Sequence, residues 1–195
     1  MLLNRSVPDI QTKRTQWREL EQIREKDRLV FLDESGVNID LSRRYGRSIG
    51  QKRVIGSVPL STPQRLTILS SVRSNGETTL TTYQGGTTGE RFVTYLKDVL
   101  IPTLKPGDIV VMDNMRSHHV KSVEQTLLAA GMIPLYLPPY SPDLNPIEML
   151  WSKLKAILRK WGIRLAGSLP DAVRHAFTHI LPSDCLHWFA ADGYC

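Results

Sequence analysis

The sequence predicts an α/β fold: a mixed five-stranded sheet flanked by helices. Three observations carry that expectation. Two β-branched-rich runs, residues 65–72 and 78–83, are joined by Arg73-Ser74-Asn75-Gly76-Glu77, whose Asn-Gly pair suits a tight hairpin turn. From residue 88 onward, stretches of helical periodicity alternate with short apolar runs too brief for helices. The chain has 195 residues, 41% of them apolar and 23% charged, which suits one compact core and is neither fibrous nor disordered in composition.

Taken in order, residues 1–27 are polar and mixed in charge, and 11–26 lack Gly and Pro, so an N-terminal arm or linker with a short exposed helix is expected. A catalytic-sized domain over 28–195 follows. Its first strand should cover 28–33, then a turn over Glu34-Ser35-Gly36-Val37-Asn38, with a second short strand near Ile39. Residues 65–72 and 78–83 extend the antiparallel set. Phe92, Leu96, Val99 and Leu100 are at helical spacing over 88–100, with Thr88 as cap and Pro102 as stop. The run 108–113 reads as a buried strand and 119–130 as a helix ended by Gly131. A short strand over 133–137 leads into a proline-rich loop, a long helix over 146–161 and a last helix over 169–181.

Composition excludes several classes of function. No apolar run approaches the roughly 18 residues of a membrane span, and the first ten residues show no export signal. Two cysteines, Cys185 and Cys195, cannot form a disulfide framework, so a reducing cytoplasm is expected. The net charge of +6 asks for an acidic partner. Five basic residues without an acid lie between Arg43 and Arg53, and five more between Trp151 and Arg164. Arg43, Arg44, Arg47, Lys52, Arg53, Lys155 and Arg159 are therefore candidate contacts to a nucleic-acid backbone. Solvated loops and a solvated helix face are the bland alternative.

Chemistry concentrates in three acids. Asp33 and Asp113 each follow an apolar strand, which is how a sheet delivers a carboxylate to its edge; if the strands are neighbours, the two acids converge. Carboxylates held close repel unless a cation lies between them, and hard oxygen donors with open positions suit Mg²⁺. Either Asp alone could simply begin a turn. Glu148 falls where a capping-box Glu would reach back to Asn145, with Pro146 at the first helical position. At 100° per residue, Glu148 lies about 120° from the centre of the apolar face of its helix, on one edge with Ser152, Lys155 and Arg159. Capping alone does not account for those cations.

The blocks FLDESG, VMDNMRSHH and YLPPYSPDLNPIEMLWSKLK, with 34 residues between Asp113 and Glu148, resemble the signatures of the Asp-Asp-Glu transposases of the mariner superfamily, in its bacterial insertion-sequence branch. The likeness runs from about residue 28 to 180. It implies a ribonuclease H-like fold and a metal-dependent endonuclease and strand transferase, with Asp33, Asp113 and Glu148 as catalytic and metal-ligating residues. It further implies two Mg²⁺ ions, with Mn²⁺ as a substitute, one serving the attacking water or DNA 3′-hydroxyl and the other the leaving oxygen. The implied partners are double-stranded DNA at transposon ends and a TA-containing target, a homodimer or larger assembly on DNA, and no membrane. The implied location is the bacterial cytoplasm, at the nucleoid. Asn114 and His118 match the second block without an assigned role. Members usually carry paired helix-turn-helix modules before the catalytic domain, and only about 27 residues precede the first strand here, so a separate reader chain is expected.

Two rival functions stay open from sequence: a ribonuclease H-like nuclease acting on hybrids, and a decayed, binding-only transposase. A zinc site from His175, His179, Cys185 and His187 is conceivable but matches no closed spacing. Glu34 should point away from Asp33 across the strand, and Asp143 belongs to the loop.

Overall fold

The computed structural model describes residues 8–21, 25–42, 45–50, 52–56, 65–114 and 121–194. Five strands form one sheet in the order β3-β2-β1-β4-β5: β1 is Leu29–Val37, β2 Leu66–Val72, β3 Thr78–Gln84, β4 Ile109–Met112 and β5 Ile133–Tyr136. β1 pairs antiparallel with β2 and parallel with β4; β2–β3 is antiparallel and β4–β5 parallel. The Arg73–Glu77 turn closes the hairpin, with the Gly76 N–H donating to the Arg73 carbonyl at 3.1 Å. Gly76 has φ +92°, a conformation that a side chain would strain, and the Pro182 Cα lies 2.7 Å from where a Cβ would stand.

Helices cover both faces. α2 (Gly89–Tyr95) continues through a π turn at Leu96–Leu100 and packs with α3 (Lys121–Ala129) over Val30, Leu32, Leu69, Val110 and Met112. The opposite face, with Leu29, Phe31, Val37, Ile68 and Val111, is covered by α4 (Ile147–Trp161), α5 (Leu169–Phe177) and α6 (Pro182–Ala191). The two-residue alternation of β1 thus feeds two cores. α1 (Pro8–Glu21) joins the second face through Trp17, which is 5% exposed. Among the described residues, no helix is long and apolar enough to cross a membrane.

Three expectations need correction. The first strand does not end at Asp33: Glu34, Ser35, Gly36 and Val37 remain in β1, opposite Leu69, Ile68, Thr67 and Leu66. Ladder pairing to a fully buried neighbour outweighs the turn preference of that segment. No strand forms near Ile39 among the described residues. The last helical stretch stops at Phe177, and a separate α6 starts at Pro182, since proline ends one helix and opens the next.

Candidate active site

Parallel pairing of β1 with β4 brings the first two acids together. The ladder ends at the Leu32–Met112 pair, so Asp33 and Asp113 are the next residue on each strand. β4 stops there while β1 runs on, which leaves Asp33 inside a strand and Asp113 at a strand end. The Asp33 side chain turns to the α4 face, where Trp151 Nε1 donates to its Oδ2 at 3.0 Å. Asp33 is only 6% exposed. Burial, foremost, and then the Asp113 charge raise its pKa to about 7, with Glu148 adding to the rise and the Trp151 hydrogen bond opposing it.

Glu148 sits in the first turn of α4 and is exposed. The walls around its carboxyl, more than the neighbouring Asp113 charge, raise its pKa, while Lys155 one edge further on lowers it. The expected capping box is absent. Pro146 occupies the cap position with no side-chain hydrogen bond, and Asn145, 4% exposed, leaves its amide oxygen buried without a partner. Capping therefore does not explain Glu148. Glu148→Gln should change folding stability by less than about 1 kcal/mol, as an exposed substitution outside any cap, while nicking of DNA collapses; thermal melting and a nicking assay on one preparation check both halves.

A cavity of about 390 Å³ opens beside Asp113 and Glu148, walled by Asn114, Asn145 and the 137–142 loop. The Asn114 amide donates to the Leu137 carbonyl, tying the end of β4 to that loop. Tyr140 on the rim has φ 57°, left-handed and unfavourable for a tyrosine. The donor set is chemically suited to a hard divalent cation: carboxylate oxygens, with Asp33 destabilised in its charged form first by burial and then by the Asp113 charge. Among the described residues, no three acidic, His or Cys side chains are gathered closely enough to form a ready-made metal cluster.

The predicted cations divide. Lys155 stands by the acids: burial lowers its pKa, Glu148 and Asp33 counter that shift, and the neighbouring Arg159 charge reinforces it. Arg47, Lys52 and Arg53 are exposed on residues 45–50 and 52–56, where Gly46 meets Val54. None of the three figures among the charges that shift Asp33 or Glu148. Arg43, Arg44 and His118 lie outside the described residues.

Sequence reasoning missed Arg65. Its guanidinium lies flat on Gly36, where a Cβ would fall 2.0 Å from Nε, and its charge also bears on Lys155. The available signal was Gly36 itself, since a glycine inside a strand marks a close approach. Glu34 faces the other side, where burial, foremost, and its own charge raise the Tyr83 pKa against the hydrogen bond from Thr87. Asp143 is in the turn Pro142–Leu144 before α4. His175 and His179 pack on Trp161, with ring centroids 5.1 and 5.5 Å away.

The sheet is ribonuclease H-like, with Asp33 on β1, Asp113 just past the parallel neighbour β4, and Glu148 in the first turn of the long helix α4. The profile of the DDE superfamily endonuclease family matches residues 28–166. The chain belongs to that family. Among solved structures it is similar to the Mos1 transposase paired-end complex with left transposon end, at 20% identity and TM-score 0.63, covering 94% of this chain and 61% of that one. It is similar also to the catalytic domain of Mos1 mariner transposase, at 16% identity and TM-score 0.59, covering 95% and 92% of the two chains, and to that domain with Raltegravir and Mg, at 17% identity and TM-score 0.60, covering 94% and 93%. The chain thus spans 61% of the transposase in the DNA complex. No curated protein matches it.

Proposed function

We propose that this chain is the catalytic part of a mariner-type transposase of the bacterial insertion-sequence branch, cutting and rejoining DNA with Asp33, Asp113 and Glu148. One observation carries the reading: a nearly buried carboxylate on β1, beside a second at the end of β4, under the electrostatic influence of a third on α4. A divalent cation, Mg²⁺ or Mn²⁺, held by these acids supplies the positive charge that phosphoryl transfer requires. Asp33 is kept oriented by the Trp151 N–H, and Asp113 and Glu148 face the same cavity. Lys155, whose charge bears on Glu148, and Arg159 and Arg65, whose charges bear on Lys155, serve to neutralise phosphates rather than react. By likeness to the Mos1 transposase complex with left transposon end, the substrate is a transposon end; the signature blocks in the sequence add a TA-containing target and a homodimer or larger assembly on DNA.

The test is nicking and joining of a labelled terminal-repeat duplex in Mg²⁺, with an RNA–DNA hybrid as comparison. Duplex nicking supports the proposal, and cleavage confined to the hybrid overturns it in favour of a ribonuclease. Phosphate contacts are tested separately by salt titration. For B-DNA each neutralised phosphate contributes about 0.9 to the slope of log K against log salt, so Arg65→Ala should flatten it by roughly that amount. Gly36→Ala, which displaces the guanidinium without removing a charge, should shift the slope in the same direction. Fluorescence anisotropy across salt measures both, and an unchanged slope removes Arg65 from the DNA track.

A further inference from the structure

The start of α4 is not fastened by its own residues. It lacks a side-chain cap, the neighbouring Asn145 leaves an amide oxygen unpartnered, and Tyr140 enters the turn in a strained conformation. Fastening comes instead from a helix more than 120 residues away in sequence. Arg14 of α1 donates from Nη1 to Ser141 Oγ at 2.6 Å and to Asp143 Oδ1 at 3.2 Å, and from Nη2 to Asp143 Oδ2 at 2.5 Å. One turn further along α1, Trp17 Nε1 donates to Tyr194 Oη at 3.0 Å, and Tyr194 Oη donates to the Leu144 carbonyl at 2.6 Å. Tyr194 also packs on Phe31, with centroids 4.9 Å apart, two residues before Asp33.

We propose that Arg14 is a positioning residue for Glu148, clamping the Ser141–Leu144 turn so that the third acid is held over the cleft; this rests on the reading of Glu148 as a member of the reacting set. The coupling is short. The Glu148 N–H donates to the Asn145 carbonyl at 3.0 Å, and the Asn145 N–H to Pro142 at 3.2 Å, so a shift at Asp143 propagates through one turn to the acid. The side chain of Arg14 is 16% exposed, and its planar fork satisfies both oxygens of Asp143 at once, a geometry that a lysine point charge cannot reproduce. Asp143 also faces Asp192, a partly buried acid whose Oδ2 has no hydrogen-bond partner.

Amide hydrogen exchange and DNA nicking on Arg14→Ala, Arg14→Lys and Asp143→Asn test this, with Lys13→Ala, an exposed position on the same helix, as control. Exchange at the Glu148 and Met149 amides should quicken at least ~10-fold in Arg14→Ala while the β1 and β4 amides hold, as expected for a local opening. Nicking should fall by about 10- to 100-fold, the scale of a displaced catalytic group, with a higher half-saturating Mg²⁺ concentration and only partial recovery in Arg14→Lys. Asp143→Asn weakens the same fork and covers the case in which Arg14→Ala fails to fold. Wild-type exchange at Glu148 in these variants overturns the clamp, and loosened amides with undiminished nicking overturn its role in positioning. If wild-type protein does not nick while exchange still responds to Arg14, the reading of the acids fails and the clamp stands.

Discussion

Asp113→Asn should lower DNA nicking by at least ~10³-fold while leaving the melting temperature and duplex affinity near wild type. That size of loss follows if the residue holds the cation that bears most of the charge stabilisation in phosphoryl transfer. Asp113 is at the end of β4, partly exposed, so an isosteric amide costs the fold little. It stands between the other two acids electrostatically, raising the pKa of both Asp33 and Glu148. Removing its charge should therefore also lower the apparent pKa of Asp33. Nicking rates, circular dichroism and anisotropy on one preparation separate the outcomes, and Mg²⁺-dependent nicking retained by a folded Asp113→Asn protein eliminates the proposed triad.

The second large effect is on stability. Asp33 titrates near 7 in the folded protein against 3.8 for an ordinary Asp, so the native state binds the extra proton. Its contribution to stability is fully present below about pH 4 and is lost as pH rises through 7. Asp33→Asn, neutral at every pH and still able to accept from Trp151, should gain on wild type between pH 5 and pH 8 by on the order of 5 °C in melting temperature without divalent metal. Mg²⁺ at pH 8 should restore the wild-type protein and leave Asp33→Asn unmoved, because a bound cation favours the ionised carboxylate. Parallel melting profiles across pH would show that Asp33 is not held protonated, and an equal response of both proteins to Mg²⁺ would place the cation elsewhere.

Much of this architecture was legible in the sequence because local and tertiary signals agree. Asn75-Gly76 closes the hairpin, Thr88 accepts from the Arg91 N–H at its helix start, and Gly162 ends α4 in the left-handed conformation. Asp113 and Glu148 stand at a strand end and a helix start, which are local features, whereas Asp33 lies inside β1; the register that joins β1 to β4 follows once the two apolar runs pair. Where sequence reasoning failed, a distant partner decided. Glu34 to Val37 look like a turn and become strand because β2 pairs with them. Asn145 has a good capping residue's chemistry, yet the turn that precedes α4 is held from α1 and Tyr194. Arg14 and Arg65 carry no local motif, and only the folded chain places one against Asp143 and the other against Gly36.

The proposed function has three carboxylates act with a divalent cation to break a DNA strand. The most direct measurement is the product of incubating the wild-type chain with a supercoiled plasmid carrying terminal repeats, in Mg²⁺ and in EDTA, with and without a helix-turn-helix partner. Nicked product ending in a 3′-hydroxyl should form in Mg²⁺ and be absent in EDTA and absent in Asp33→Asn. Nicking that persists in EDTA, or that survives Asp33→Asn in Mg²⁺, would contradict it.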